Sequence, residues 1–137
     1  MKYLLALLMV VVPATQAQAF NRGKDCRYAS LQGNSSMNIK EVKLTIACAV
    51  RHMPVSGGVA KALYIANRES GFYTHAYNTS GASGVYQIVR GTWHSWTQQF
   101  ANWRNQEHIN TDVFSGRSNV LVAIRAAHMW GWRSWGG

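Results

Sequence analysis

Acidic residues are scarce in this chain of 137 residues. Only 5 are Asp or Glu, against 14 Lys or Arg, which gives a formal net charge of +9 at pH 7. A chain this basic is attracted to polyanions, such as envelope polymers, lipid headgroups or nucleic acid. The basic residues are scattered singly, however, with no dense run and no recognisable nucleic-acid motif, so we expect no nucleic-acid partner.

Cysteine is also scarce, and the chain contains only Cys26 and Cys48. Neither has a pair of histidines nearby at ligand spacing, which argues against a metal site. Two cysteines allow one intramolecular pairing, and in an exported protein a Cys26–Cys48 disulfide is expected. Two separate buried thiols are the alternative.

The chain lacks a long hydrophobic run. Its apolar stretch from Tyr3 to Val12 is too short to cross a bilayer. It follows Lys2 and precedes the small-residue site Ala17-Gln18-Ala19, which is the layout of a secretory signal peptide. Removal of residues 1–19 would leave residues 20–137 as one domain, in the periplasm or outside the cell, without stable membrane insertion. An uncleaved membrane anchor is the alternative.

Helical periodicity dominates the rest of the sequence. Apolar residues recur at helical spacing over Ile39–His52 and Val59–Glu69. A third helix is predicted to begin near Thr92, and a last helix to follow Ser118 as its N-cap. The third helix should place four aromatic residues on one face: Trp93, Trp96, Phe100 and Trp103.

Residues 72–88 have no sustained helical period, and their glycines predict a loop-rich cleft or a short hairpin. The sequence shows no repeats and no low-complexity segment. It therefore predicts a small, mainly helical single domain with its core over about residues 38–135.

One glutamate stands beside this loop. The segment from Arg68 to Ile88, RESGFYTHAYNTSGASGVYQI, places Glu69 at the end of the second predicted helix and ahead of the Gly81–Gly84 loop. A lone carboxylate facing a polar, glycine-lined cleft is a minimal apparatus for cleaving a sugar–sugar bond. The segment resembles the E-S motif and the following G-A-S-G-L-M-Q-I motif of lytic transglycosylases, members of the lysozyme-like superfamily. Gln87 lies 18 residues after Glu69, as the motif glutamine does in that family.

The resemblance implies a lysozyme-like α+β domain that cleaves the β-1,4 bond between N-acetylmuramic acid and N-acetylglucosamine in peptidoglycan, without a cofactor or metal. Glu69 would act first as acid and then as base. The C6 hydroxyl of muramic acid would be the internal nucleophile, giving a 1,6-anhydromuramyl end. No second carboxylate is then required. The other acids of residues 20–137 lie in no catalytic motif: Asp25, Glu41, Glu107 and Asp112. Water as the acceptor, as in a lysozyme-type hydrolase, stays open.

The motif also implies residues that contact the substrate. Those expected to line the site are Gln87, Ser70, Asn78, Tyr86, Ser83 and His128. Asn78 stands where several family members have a serine, and His128 near the place of a tyrosine in a later family motif. A helix-end hydroxyl is an equal alternative for Ser70, and a packed helix residue is the alternative for His128.

The end of the chain resembles a second group. Gly131-Trp132-Arg133-Ser134-Trp135 is similar to the G-W-G-x-W close of resuscitation-promoting-factor domains, compact relatives that use a single glutamate. Trp132 and Trp135 are candidates for a sugar-stacking platform, and core packing is the alternative.

The surroundings of Glu69 are expected to favour its protonated form. A helix C-terminus disfavours negative charge, and the nearby Ile65, Phe72 and Tyr86 would remove water. Arg68 is expected to point elsewhere, because adjacent helix positions diverge by about 100°.

Peptidoglycan strands are the expected partner. Wall remodelling, an envelope-spanning secretion or conjugation apparatus, and phage entry or lysis are all contexts that the sequence leaves open. A non-catalytic cationic wall-binding protein is the alternative from another class. Glu69 argues against it, because a pure binder has little reason to place an acid in a basic cleft.

Overall fold

Five α-helices and one 3₁₀ turn make up the part of the chain that the computed structural model describes, residues 36–137. The elements are α1 (Ile39–His52), α2 (Gly58–Ser70), α3 (Arg90–Gln99), α4 (Ala101–Gln106), α5 (Gly116–Trp130) and the turn Arg133–Trp135. Extended pairing in this part is limited to two antiparallel bridges, of Ser83 with Tyr77 and with Ile88. The prediction of a small, mainly helical domain with a loop-rich middle is confirmed.

α1 begins and ends where its sequence predicts. The Asn38 side chain accepts a hydrogen bond from the Glu41 backbone N–H at 2.9 Å, and the Glu41 carboxylate accepts one from the Asn38 N–H at 3.5 Å. This reciprocal capping box pairs two backbone donors that the helix leaves unpaired. The inner face, which includes Val42 and Ile46, is fully buried and packs against α5 and α2.

α5 is the central element of the core. All residues from 116 to 124 are buried, and a helix buried all round belongs in the interior of a domain. Its N-cap is Ser115, whose side chain accepts a hydrogen bond from the Ser118 N–H at 3.2 Å. The prediction of Ser118 as the N-cap is therefore wrong. Ser118 instead donates its hydroxyl to Asn110 Oδ1 at 2.9 Å, which ties the start of α5 to the preceding loop.

α2 delivers the motif glutamate to the edge of the loop. Its inner face packs into the core through Ala62, Ile65 and Ala66. Gly71 ends the helix with a φ of 59°, the left-handed conformation that glycine adopts without steric cost. Because Glu69 lies in the last turn, it stands where the helix gives way to the loop.

The predicted third helix is in fact two helices. α3 ends at Gln99, and Phe100 separates it from α4. The Thr97 hydroxyl donates to the carbonyl oxygen of Trp93 at 2.8 Å, and Arg104 Nε donates to the carbonyl oxygen of Thr97 at 2.9 Å. These side-chain bonds stabilise the break between the two helices, which the spacing of apolar residues does not predict. Of the four aromatic residues predicted on one face, three are buried and the last is partly buried: Trp93, Trp96, Phe100 and Trp103.

Some predictions fall outside the described residues. The signal peptide at residues 1–19 and Cys26 both do, so the Cys26–Cys48 disulfide stays a prediction, although Cys48 is fully buried in α1. Over residues 36–137, no helix combines the length and the apolar character that crossing a membrane requires.

Candidate active site

Glu69 is partly exposed in the last turn of α2, with 26% of its side-chain surface accessible. Arg68 donates two hydrogen bonds to Glu69 Oε1, from Nη2 at 2.8 Å and from Nε at 3.2 Å. The prediction that Arg68 points elsewhere is therefore wrong. The divergence of about 100° applies to the Cα–Cβ bonds, and the long arginine side chain reaches back across it. These two hydrogen bonds fix the orientation of the Glu69 carboxyl group.

The same guanidinium also reaches the end of the chain. Arg68 Nη2 donates to the carbonyl oxygen of Trp135 at 2.6 Å, so one nitrogen joins Glu69 to the 3₁₀ turn. Trp135 in turn lines a pocket of about 100 Å³ together with Gln87 and Ser134. These contacts join Glu69, through Arg68, to the C-terminal turn that lines this pocket.

Tyr86 is a core residue. It is fully buried, and its hydroxyl donates to the carbonyl oxygen of Ala62 at 2.9 Å. Its ring packs against Trp132 and Trp135. Burial raises the pKa of Tyr86 well above its usual value. The prediction that Tyr86 contacts the substrate is wrong, because its ring and hydroxyl both point into the protein.

Ser70 joins α2 to the loop. Its hydroxyl donates to the carbonyl oxygen of Val85 at 2.6 Å and to that of Ala66 at 3.2 Å. The structure therefore favours the helix-end hydroxyl over the substrate-lining alternative. Ser70 positions the loop on which Gln87 lies.

Gln87 is the motif residue that faces the pocket. It is half-buried with a φ of 50°, a left-handed conformation that non-glycine residues rarely adopt. Its Nε2 donates to the carbonyl oxygens of Ala76 at 3.1 Å and Gly84 at 2.9 Å. These bonds hold the amide nitrogen in the loop, so the amide oxygen is the atom that remains to contact a substrate.

Asn78 and Ser83 organise the loop rather than project from it. Asn78 Oδ1 accepts hydrogen bonds from the backbone N–H groups of Ser80 at 3.0 Å and Ala82 at 3.2 Å, and from the Ser80 hydroxyl. Ser83 is buried, and its hydroxyl donates to the carbonyl oxygen of Gly81 at 3.3 Å. Ser83 still lines a cavity, whereas the side-chain oxygen of Asn78 serves the turn.

Asn119 is the positioning residue that sequence reasoning missed. Its Oδ1 accepts from the Tyr86 N–H at 2.8 Å, and its Nδ2 donates to the carbonyl oxygens of Val113 at 2.9 Å and Ser83 at 3.2 Å. Asn119 therefore joins α5 to two loops, one of which is the loop that follows Glu69 and carries Gln87. The signal was present: Asn119 is a polar residue beside the apolar run from Val120 to Ile124.

His128 does not lie beside Glu69. It is exposed at the end of α5, and its Nδ1 is 2.6 Å from the carbonyl oxygen of Pro54, which precedes α2. Glu69 lies at the opposite end of α2, whose 13 residues span roughly 20 Å at about 1.5 Å per residue. His128 therefore does not take the place of the family tyrosine beside the catalytic acid, and its contact with the substrate stays a prediction.

The two C-terminal tryptophans are buried, which favours the core alternative over an exposed sugar platform. Trp132 Nε1 donates to the carbonyl oxygen of Ser56 at 2.9 Å, and Trp135 Nε1 to that of Tyr86 at 2.8 Å. Only Trp135 also lines the pocket with Gln87.

Three pockets of the domain are linked by shared lining residues. The first, of about 100 Å³, shares Ile88 with a second of about 330 Å³. The second shares Arg90 and Trp93 with a third of about 490 Å³. We call the three together the groove.

The remaining acids of residues 36–137 have other surroundings. Glu41 caps α1, and Asp112 Oδ1 accepts a hydrogen bond from the Phe114 N–H at 2.9 Å. Glu107 is buried, with 1% of its surface exposed. In the same part of the chain, no group of three or more His, Cys, Asp and Glu side chains could hold a metal ion. The arrangement is suited to proton transfer by one carboxyl group.

A mainly helical domain with one partly exposed glutamate at a helix end, beside a glycine-bearing loop and a groove, defines the lysozyme-like class of protein. Residues 58–125, about half of the chain, match the family model of the transglycosylase SLT domain, and the match includes Glu69 and Gln87. The chain belongs to this family. No curated protein and no solved structure matches the chain significantly. The similarity of residues 131–135 to resuscitation-promoting-factor domains stays a prediction.

Proposed function

We propose that this protein is a lytic transglycosylase that cleaves the MurNAc-β-1,4-GlcNAc bond of peptidoglycan, with Glu69 as its only catalytic acid and base. Membership of the transglycosylase SLT family supports the class of activity and the substrate polymer. The observation that carries the proposal is the place of Glu69: at the end of α2, partly exposed, and joined through Arg68 to the pocket formed by Gln87 and Trp135.

The chemistry requires one carboxyl group in two states. Protonated Glu69 donates its proton to the glycosidic oxygen as the bond from that oxygen to C1 of muramic acid breaks. The resulting carboxylate then accepts the proton of the C6 hydroxyl while O6 bonds to C1. The product is a 1,6-anhydromuramyl end, and Glu69 has regained its proton. The substrate supplies the nucleophile, which gains the advantage of an intramolecular reaction.

The surroundings of the other acids favour this route over hydrolysis. A two-carboxylate lysozyme needs a second acid that faces the scissile bond. Glu107 is buried and Glu41 serves the start of α1, so among residues 36–137 Asp112 is the acid left to consider. Its Oδ1 holds a turn at Phe114. Hydrolysis of the same bond is the second candidate function, and the products distinguish the two.

Export is part of the proposal. The signal-peptide pattern of residues 1–19 supports a site of action in the periplasm or outside the cell, where peptidoglycan lies. The net charge of +9 supports attraction to an anionic envelope. A secretion or conjugation apparatus that crosses the wall is a candidate partner, since such assemblies need local clearance of peptidoglycan.

Mass spectrometry of the soluble products from purified peptidoglycan tests the proposal. Wild-type protein is expected to release anhydromuropeptides, and Glu69→Gln to lose about 10³-fold in rate, within the range for removal of a general acid–base. Glu107→Gln, the same change at a buried glutamate, is the matched control and should keep wild-type activity.

Each other outcome identifies a different function. Reducing-end muropeptides would show a hydrolase, and Asp112→Asn would then test for the second acid. Absence of products from the wild-type protein, with binding to the polymer retained, would support a non-catalytic wall-binding protein instead.

A further inference from the structure

The middle of the groove contains an arginine that the proposed chemistry does not use. The cavity of about 330 Å³ is lined by Tyr77, Ser83, Ile88, Arg90, Trp93 and Phe114, among others. Arg90 and Trp93 also line the third pocket, so Arg90 borders two of the three pockets. No acidic side chain lines either pocket.

Arg90 has no structural role that explains it. It is exposed, and within residues 36–137 its side chain makes no hydrogen bond or ion pair. Two other arginines of this part are engaged: Arg68 with Glu69, and Arg104 with two carbonyl oxygens. Arg90 is also the first residue of α3, where the helix dipole disfavours a cation and no acidic residue of the first turn offsets it. Its place in the fold costs stability rather than adding to it.

The cavity offers charge and aromatic surface together. Tyr77 is 66% exposed, and Phe114 stacks against His75 at 6.0 Å between ring centroids. Asp112 is the acid nearest in sequence to the residues that line this cavity, and its carboxylate accepts a hydrogen bond from the Phe114 N–H. A ligand that fits carries an anionic group for Arg90 and a flexible chain for the aromatic walls.

We propose that this cavity binds the stem peptide of peptidoglycan, with Arg90 paired to one of its carboxylates. The inference rests on the proposed function for the identity of the polymer. A stem peptide leaves the glycan next to the scissile bond and carries free carboxylates. A guanidinium binds a carboxylate through two parallel hydrogen bonds, stronger than neutral ones. The protein therefore recognises peptide-bearing strands through a site separate from Glu69.

The test compares peptidoglycan sacculi with the same sacculi after carbodiimide amidation of their peptide carboxyl groups. Amidation removes the charge and keeps the peptide. Binding is measured by co-sedimentation in a Glu69→Gln background, and cleavage by product release from proteins with Glu69 intact. The variants are Arg90→Gln, Arg90→Lys and the matched control Lys40→Gln, an exposed cation at the start of α1.

Amidation weakens any electrostatic attraction between the protein and the sacculi. The variants are therefore compared by one ratio: binding to untreated sacculi divided by binding to amidated sacculi. We expect Lys40→Gln to retain the wild-type ratio and Arg90→Gln to lower it about tenfold, with Arg90→Lys between them. Equal ratios in Arg90→Gln and Lys40→Gln, with unchanged thermal unfolding, would overturn the inference while the proposed function stands. Lack of cleavage by every variant, with the binding ratios still different, would instead overturn the proposed function.

Discussion

Two glutamates, each close to arginine, have opposite surroundings in this domain. Glu69 is 26% exposed, and its Oε1 accepts two hydrogen bonds from Arg68. Glu107 is 1% exposed, and within residues 36–137 neither of its carboxyl oxygens has a hydrogen-bond partner. Arg117 donates to the main-chain oxygen of Glu107 at 2.6 Å. The comparison shows that a nearby arginine does not by itself determine the role of a carboxyl group. Its exposure to water and its hydrogen bonds determine that role.

The pKa of Glu107 shows the consequence of burial. Loss of water raises it from 4.5 to about 7, and the charges of Arg117 and Arg125 oppose the rise. A perturbed pKa is often a sign of a functional site. The Glu107 carboxyl group is buried and cannot reach a glycan, so we assign Glu107 to the protein core rather than to the active site. Glu69 is distinguished by access and by its place in the motif.

The largest predicted effect concerns the backbone that holds the Glu69 region. Gly84 has a φ of 77°, and a Cβ there would lie 2.5 Å from the carbonyl oxygen of Val113 and would overlap the Asn119 side chain. Gly84→Ala should therefore lower the free energy of unfolding by about 3 to 4 kcal/mol, from backbone strain and steric overlap together. Chemical denaturation monitored by circular dichroism measures it.

Gly91→Ala is the matched control for this prediction. Gly91 lies in α3 with open space around its Cβ position. The change should stabilise the protein by up to about 1 kcal/mol, through helix propensity. A small effect of Gly84→Ala would show that the loop is not held against α5 as described.

The next prediction tests the Glu107 region through pH. In the unfolded chain Glu107 loses its proton near pH 4.5, whereas in the folded protein it keeps it to about pH 7. Between these values the folded state binds more protons, so the free energy of unfolding falls as pH rises, by at most about 3 kcal/mol for a shift of this size. Glu107→Gln should abolish this fall and stabilise the protein above pH 7.

Thermal unfolding of the wild type and Glu107→Gln from pH 4.5 to 7.5 measures the difference. If Glu107→Gln instead destabilises the protein at pH 7.5, the carboxylate is stabilised by Arg117 and Arg125 more than burial penalises it.

Most of the helical scaffold could be predicted from the sequence. The ends of α1 follow from Asn38 and from Pro54, and the end of α2 from Gly71. These are local signals, because caps and left-handed glycines act within one helical turn. The break at Phe100 could not be predicted, since the bonds of Thr97 and Arg104 hold it rather than a glycine or proline.

The site was predicted less completely than the scaffold. The motif identified Glu69 and Gln87: Gln87 lines the pocket, and Glu69 is joined to it through Arg68 and Trp135. It did not distinguish residues that build the site from residues that face it: Ser70 and Asn78 hold the loop, and Tyr86 packs in the core. A motif preserves both kinds of residue, and only the direction of each side chain separates them. Asn119 was missed because two of its three partners, Tyr86 and Ser83, are more than 30 residues away.

The smallest predicted effect concerns Arg68, the arginine that is paired with the exposed glutamate, Glu69. Arg68→Gln should reduce kcat about tenfold, because the Glu69 carboxyl group loses the bonds that orient it towards the pocket. KM should change little, and thermal stability by no more than about 1 kcal/mol, since Arg68 is 42% exposed and such pairs contribute little. Arg68→Lys should restore part of kcat but not the geometry of two bonds. A rise in kcat on loss of Arg68 would contradict the orienting role and would mean that the ion pair restrains Glu69 in the resting protein.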